Sequence, residues 1–475
     1  MGTLNCDGDP LLQREASEAR LVSRSVETDD VSVDAFLRSP SVTETEDSTT
    51  FLWKGSGDGA VFAGKGDAVS VVAKGEDRFE EVRESVRRLF SDTDTDADAP
   101  EGARPRVFGG FSFHDTHEAE GVWEGFPCAV FVLPEYQISS RRGEGVYLTV
   151  NAYGDRVDTD ELEDRTDELR EKLSEAGEGD IPDTEKTPEL RGVERTTTRP
   201  EWRRQVNAVL ERIETGEIEK AVLSQSLELS LSKDVDVNEH VLRLSERFPD
   251  CYSFLFSPDG KKGFFGASPE RLVSVKGRKV ETEAIAGSIG RGDSTDEDEE
   301  LGTRLRESDK DFHEHSLVVD TVVEQLRPLS ESVETDGTEL LKLENVQHLT
   351  TPVRAHLRRT DGGNPDVLSV AEKLHPTPAV GGFPPEEALR TIRETEGFER
   401  GWYAAPVGWV DGYGDGCFAV GLRSAVAEGS TATAFAGAGI VGNSDPDDEW
   451  DEVHLKYEPV LDLFEESRGE TVDTA

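Results

Sequence analysis

Lys220 is one of only fifteen lysines among the 52 basic residues of the chain. It opens an apolar, alternating run, KAVLSQSLELSL. Burial there would penalise the charged amine and lower its pKa, which is how a lysine becomes a base near neutral pH. A strand-edge lysine at a turn is the plainer reading. Glu270 stands in GFFGASPERLVSV, at a Ser-Pro turn between two apolar strands. A carboxyl in that setting can be kept protonated and serve as a general acid, or it can be an ordinary turn glutamate. Glu314 lies between two histidines in HEH. The spacing is not HExxH, so a zinc-protease helix is excluded. A hard cation would take the carboxylate and leave His313 and His315 aside. Glu449, Glu452 and Lys456 fall at i, i+3 and i+7, on one face of a helix. That face is either a solvated charge stripe or part of a site. The glycine turns AIAGS and FAGAGIV offer backbone N–H groups to an anion, a weak signal alone.

These residues need elements to hold them. Pro200 opens a helix whose Trp202, Val206, Val209, Leu210 and Ile213 share a face, ending at Gly216. A long strand follows from Lys220 to Leu231. Ser308 with Asp311 three residues on gives a capping pattern for the helix carrying Glu314, which stops at Pro328. Asp445-Pro446 starts the helix of Glu449, Glu452 and Lys456, whose Trp450, Val453, Tyr457, Leu461 and Phe464 form an apolar stripe. Before residue 196, FLWKG, GAVFAGKG, AVSVVAKG, RVFGGFSF, AVFVLPEYQI and GVYLTV read as strands, followed by a polar helix from about Asp160 to Ala176. No constellation in that part suggests chemistry. Ser91–Pro105, Ala176–Thr198 and the acidic run Gly292–Glu300 read as surface loops or linkers. Irregular alternation and hairpin turns such as VSVKGRKVETEA predict an α+β fold with mostly antiparallel sheet. The expected division is a β-rich portion at 1–196, a catalytic portion at 197–468 and a tail at 469–475.

The 475 residues suffice for one large domain or two to three ordinary ones. The formal net charge is −48, with the acid spread along the chain rather than blocked at one end. Regular apolar patterning excludes a disordered acidic chain. The reading taken is an enzyme of a high-salt cytoplasm, whose surface repulsion is screened by ions and which folds weakly in dilute buffer. Such a charge tells against nucleic acid or an anionic membrane as partner. The four cysteines (Cys6, Cys128, Cys251, Cys417) include no CxxC pair, suiting neither zinc nor a disulfide framework. The acidic stretch from Met1 to Asp30 lacks the apolar core of a secretory signal, and no run approaches the length of a membrane span.

In order, KAVLSQ, FFGASPERL, ETEAIAGSIGRG, SDKDFHEH, VQHLTTPV, LHPTPAVGGFP, YAAPVGW, VGLRSA, FAGAGIV and DEWDEVHLK resemble the chorismate-binding domain of the chorismate-utilising enzymes. Anthranilate synthase large subunits, aminodeoxychorismate synthases, salicylate synthases and isochorismate synthases share that domain. Ten segments in order between Lys220 and Lys456 make a specific match, and RVFGGFSF and FVLPEYQI extend it weakly into the first half. The resemblance implies the anthranilate synthase component I-like fold.

Two positions point to one branch. Members that add water at C2 carry a lysine where this chain has Lys220. The nucleophilic lysine of aminodeoxychorismate synthases is replaced here by Ala286. LHPTPAVGGFP and GWYAAPVGW also look like isochorismate synthase versions, and no Gly-Ala-Pro-Lys string occurs. The resemblance thus implies Mg²⁺-dependent conversion of chorismate to isochorismate, with menaquinone as the natural destination. The alternatives are salicylate synthase, anthranilate synthase component I, or a non-catalytic homologue. It implies Lys220 as base towards water and Glu270 as acid towards the C4 hydroxyl. Glu314 and Glu452 would hold Mg²⁺, with Glu449 acting through water. Arg423 and Lys456 would anchor carboxylates, and Gly287, Ser288 and Gly439 would add backbone donors. Tyr403 and His348 would line the pocket. A monomer is expected, no interface signature standing out.

Overall fold

The computed structural model describes residues 3–5, 19–43, 48–57, 59–95, 100–141, 143–176, 188–343, 346–360 and 364–464. The expected tail at 469–475 lies outside them, as does part of each of the linkers predicted at Ser91–Pro105 and Ala176–Thr198. The elements that bear on the site begin with β1 (Thr50–Lys54), β2 (Arg106–Phe111), β3 (Leu190–Arg195), α1 (Arg199–Glu214) and β4 (Lys220–Leu231). After them come β5 (Tyr252–Ser257), β6 (Gly263–Ser268), β7 (Arg271–Lys276) and β8 (Lys279–Gly290). The helices α2 (Thr295–Glu307) and α3 (Asp309–Leu326) precede β9 (Val346–Leu357), β10 (Gly382–Phe383) and α4 (Pro385–Thr395). The chain closes with β11 (Pro406–Asp411), β12 (Gly416–Val420), β13 (Ser424–Glu428), β14 (Thr431–Val441) and α5 (Pro446–Leu461).

Among the described residues the strands form two sheets, of thirteen and eleven strands. The first runs β3-β4-β14-β13-β6-β5-β1 and continues into strands that lie between Arg20 and Gly154. The second runs through β2-β11-β12-β7-β8-β9. Each therefore joins strands from both ends of the sequence. Pairing is antiparallel between all the numbered strands of these runs, as the hairpin signals predicted. The KGRK turn between β7 and β8 places Gly277 at φ +62°, a left-handed conformation that a side chain would strain. Two apolar clusters fill the interior. One contains Phe111, Phe131, Phe264 and Trp402, and the other Trp202, Leu223, Val241 and Val453.

Helix starts follow local chemistry. The Ser308 hydroxyl accepts from the Asp311 N–H at 3.2 Å and opens α3. A reciprocal Thr198–Glu201 box opens α1, and Asp445 caps α5. Two predicted loops are corrected. The acidic run Gly292–Glu300 is largely helix α2: Ser294 caps it, and Asp296, Glu297 and Asp298 fill a first turn where the helix dipole favours negative charge. Within Ala176–Thr198, residues Leu190–Arg195 form the largely exposed edge strand β3 against β4. Its Gly192 and alternating charges hid the pattern. The predicted loop Ser91–Pro105 holds only a two-residue strand at Thr93–Asp94 and one 3₁₀ turn at Glu101–Ala103 among its described residues. Among the described residues no helix is long and apolar enough to cross a membrane.

Candidate active site

One pocket, about 840 Å³ of empty space counting its solvent-open mouth, is lined by Lys220, Glu270, Gly287, Ser288, Glu314, His348, Tyr403, Arg423, Gly439, Glu452 and Lys456. Eleven of the twelve residues given site roles from the sequence meet there, although they span more than 230 positions. Glu449 stands apart from that lining. Among the described residues, none before Lys220 lines it either.

Lys220 is the first residue of β4, held between β14 (opposite Val441) and the short β10 (opposite Phe383). It is 1 % exposed, and its Nζ lies 2.7 Å from Glu314 Oε1. Gly439 makes that arrangement possible. A Cβ there would stand 3.0 Å from Lys220 Cε and 3.1 Å from Glu314 Oε1. So Gly439 is needed for space as well as for any backbone donor, a role its motif did not reveal.

Glu270 follows β6 through the Ser-Pro turn, whose Ser268 hydroxyl accepts from the Glu270 N–H at 3.2 Å. Its carboxyl is buried and its pKa is pushed up to about 8. Burial is the main cause and Glu283 adds repulsion, against the attraction of Lys220 and Lys456. At neutral pH this side chain is therefore an acid with a proton to give.

A bulge between Ala286 and Ser288 places Gly287 at φ +76°. Ser288 then meets His348, Oγ to Nδ1, at 2.9 Å. Burial, with Arg423 and Lys456 nearby, depresses the His348 pKa to about 3, so the imidazole is neutral. Arg423 is buried at φ +48°, a costly backbone state for a side-chain-bearing residue and one that clusters at functional sites. Tyr403 is buried, and burial raises its phenol pKa. Lys456 reaches along α5 to Glu452 at 2.7 Å and donates to the Gly437 carbonyl at 2.9 Å.

The carboxylates supply only hard oxygen donors. Glu449 is 3 % exposed, and its pKa is raised to about 7, chiefly by burial and then by the repulsion of Glu452. Lys310 lies 3.6 Å from it. Among the described residues no three carboxylate, imidazole or thiol groups converge into a preformed metal cage. Two pocket carboxylates, one of them pressing on a buried third, suit a cation that keeps several waters, which is the habit of Mg²⁺. The histidines flanking Glu314 stay aside. His315 is buried and bonded to Thr351 at 2.7 Å, and His313 is exposed.

Arg400, Ser224, Val380, Leu422 and Phe435 also line the pocket and were not singled out by type or spacing. For Arg400 a signal existed: Glu396 lies four residues before it, an opposite charge just ahead of the apolar GWYAAPVGW.

A cleft carrying a protonated acid, a buried amine, hard-cation donors and several cations defines an enzyme site for a small polyanion. A family model described as chorismate binding enzyme matches residues 7–465, and the chain belongs to that family. It is 35 % identical over 359 residues to isochorismate synthase MenF of Bacillus subtilis (strain 168), covering 75 % of this chain and 74 % of that protein. Two solved structures share the fold. The menaquinone-specific isochorismate synthase MenF of Escherichia coli superimposes with TM-score 0.75 at 23 % identity, covering 96 % of this chain and 98 % of the other. Anthranilate synthase component I of Streptococcus pneumoniae gives 0.68 at 21 %, covering 92 % and 98 %. The expected α+β, anthranilate synthase component I-like fold is thus observed.

Proposed function

We propose that the chain is an isochorismate synthase: it adds water at C2 of chorismate and releases the C4 hydroxyl, for menaquinone synthesis. The observation that carries this is the placement of Lys220 and Glu270 in one pocket, with the Glu270 carboxyl protonated up to about pH 8. Lys220 takes a proton from the water that forms the new C2–O bond. Only the neutral amine has the lone pair for this, so Lys220 must first have lost its extra proton and its partner Glu314 must have turned aside. Glu270 gives its proton to the oxygen leaving C4 as the ring double bonds shift. Acid and base working together avoid a charged intermediate exposed to water. Arg423 and Lys456 grip the substrate carboxylates, Arg423 through its planar fork. Ser288 and the neutral His348 add hydrogen bonds without adding charge, and Tyr403 closes the wall.

Glu314 and Glu452 would hold Mg²⁺, with Glu449 through water. The bound ion would supply positive charge for a substrate carboxylate. The carboxylate-only donor set supports this part of the reading. The protein is further proposed to act as a monomer in a salt-rich cytoplasm with no nucleic-acid partner, the −48 charge being the support.

The test is incubation with chorismate and Mg²⁺ in molar KCl, with products separated by chromatography. Isochorismate alone is the expected outcome. Salicylate with pyruvate, or anthranilate when ammonia is added, would reassign the enzyme.

A further inference from the structure

β4 has a complete ladder with β14 on one side, but its other side is interrupted. β10 pairs only with Lys220 and Ala221, and β3 pairs only with residues from Leu227 onward. The backbone between must find partners in a dry interior. Ser226 finds Thr196, and for Val222 and Ser224 two charged side chains contribute. The Val222 carbonyl accepts from Arg400 Nη2 at 2.8 Å, and the Ser224 N–H donates to Glu396 Oε1 at 2.7 Å. Arg400 and Glu396 are bonded to each other through two contacts, Nε–Oε2 at 2.9 Å and Nη2–Oε1 at 2.5 Å. Their side chains are 1 % and 4 % exposed.

The same pair reaches the neighbouring turns. Arg400 Nη1 donates to the Val380 carbonyl at 2.9 Å, and the Arg400 carbonyl accepts from the Tyr403 N–H at 2.9 Å. Val380 and Gly381 are folded back on the Thr377 carbonyl, and the Gly381 carbonyl accepts from the Val222 N–H at 2.9 Å. The Thr377 hydroxyl faces the Glu270 carboxyl. The guanidinium itself lies over the Phe113 ring at 4.3 Å. Although Arg400 lines the pocket, four of its five N–H donors are committed to protein, which argues against a substrate contact as its main work.

We propose that the Arg400–Glu396 ion pair stands in for a missing strand beside β4, and so fixes the Lys220 strand and the Thr377–Gly381 turn beside Glu270 in one register. The pair is a positioning device for base and acid, and the inference rests on the acid–base reading given above. Stability alone is a poor account of it, since a well-packed apolar pair of similar volume often does as well as a buried ion pair.

The test uses the full chain in molar KCl, with turnover read as chorismate consumed. Glu396→Gln keeps the shape and removes the charge. Arg400→Lys keeps the charge but cannot span three acceptors. Both are expected to fold with a wild-type circular dichroism spectrum and to bind chorismate with KM within about threefold. Their kcat should fall roughly 10²-fold, the scale of a 1 Å misplacement, and the alkaline limb of the kcat profile should move. The double variant Arg400→Met, Glu396→Leu should recover the melting temperature without recovering kcat. It decides alone if the single variants do not fold. Wild-type kcat in any folded variant would overturn the proposal. A raised KM with kcat unchanged would overturn it too, making Arg400 a substrate ligand. A wild-type enzyme that consumed chorismate to give another product would refute the proposed function and leave this test standing.

Discussion

At Lys220 and Lys456 each ammonium meets a carboxylate at 2.7 Å, whereas no ion pair joins Glu270 to a basic residue among the described residues. The lysine side of the pocket sets each basic nitrogen against a carboxylate. The Glu270 turn keeps its carboxyl by leaving it protonated. The difference is instructive because Lys220 and Glu270 are both buried, and burial alone disfavours the charged form of either. Paired groups form a preorganised charge array, able to receive an anion or exchange a partner for a cation. An unpaired, protonated acid is instead a store for one proton, released only when a leaving group asks for it.

The sharpest way to break this contrast is to remove one group from each side. Lys220→Ala and Glu270→Gln should each lower kcat by roughly 10²–10⁴-fold, the usual weight of a positioned acid or base. Saturating chorismate assays on folded protein would check this, and a loss below about tenfold in either would end the proposed division of labour. Next in size, Glu314→Ala should abolish both activity and the response to Mg²⁺. Calorimetric titration with Mg²⁺ reads this independently of turnover, and an undiminished titration would move the ion elsewhere.

The third prediction concerns stability. The folded pKa of Glu270 is raised to about 8, whereas an unfolded chain ionises the residue in the ordinary carboxyl range near 4.3. Stability due to this group is therefore full below the unfolded value and is lost progressively as pH rises towards 8. At pH 7, Glu270→Gln should stabilise the fold by about 3–4 kcal/mol, at roughly 1.36 kcal/mol per pH unit, and at pH 4 by almost nothing. Denaturant unfolding at the two pH values would show it. Activity that needs the protonated acid should likewise decline as pH rises through 8. The smallest effect belongs to the paired side. Gly439→Ala brings a Cβ within 3.0 Å of Lys220 Cε, so it should lower kcat about tenfold and stability by about 1–2 kcal/mol. A neutral result would mean that the Lys220–Glu314 pair is looser than its geometry.

What the sequence revealed depended on how local the cause was. Ser308, Pro200 and Asp445 announced helix starts because such a residue acts on the next few positions of its own chain. The acidic run before Glu300 misled because acid in a first helical turn and acid in a solvated loop look alike until Ser294 is seen to cap. Leu190–Arg195 became a strand through β4, whose demand for a partner no local pattern records. The eleven pocket residues were legible through ordered segments resembling a known family. Their types alone left plainer roles open. Arg400 and Glu396 escaped notice because their work is to satisfy backbone atoms at Val222, Ser224 and Val380, far along the chain. The space Gly439 leaves for Lys220 was invisible for the same reason.

β2 gains one of its neighbours, β11, from near the other end of the chain, Gly110 pairing with Val407. A ribosome adding roughly 5–20 residues per second needs at least about fifteen seconds to deliver that partner. Through that interval RVFGGF, every residue of which is buried in the finished protein, offers an uncovered apolar edge to any passing chain. The nascent first half is thus the moment of greatest aggregation hazard, and slower synthesis would lengthen it.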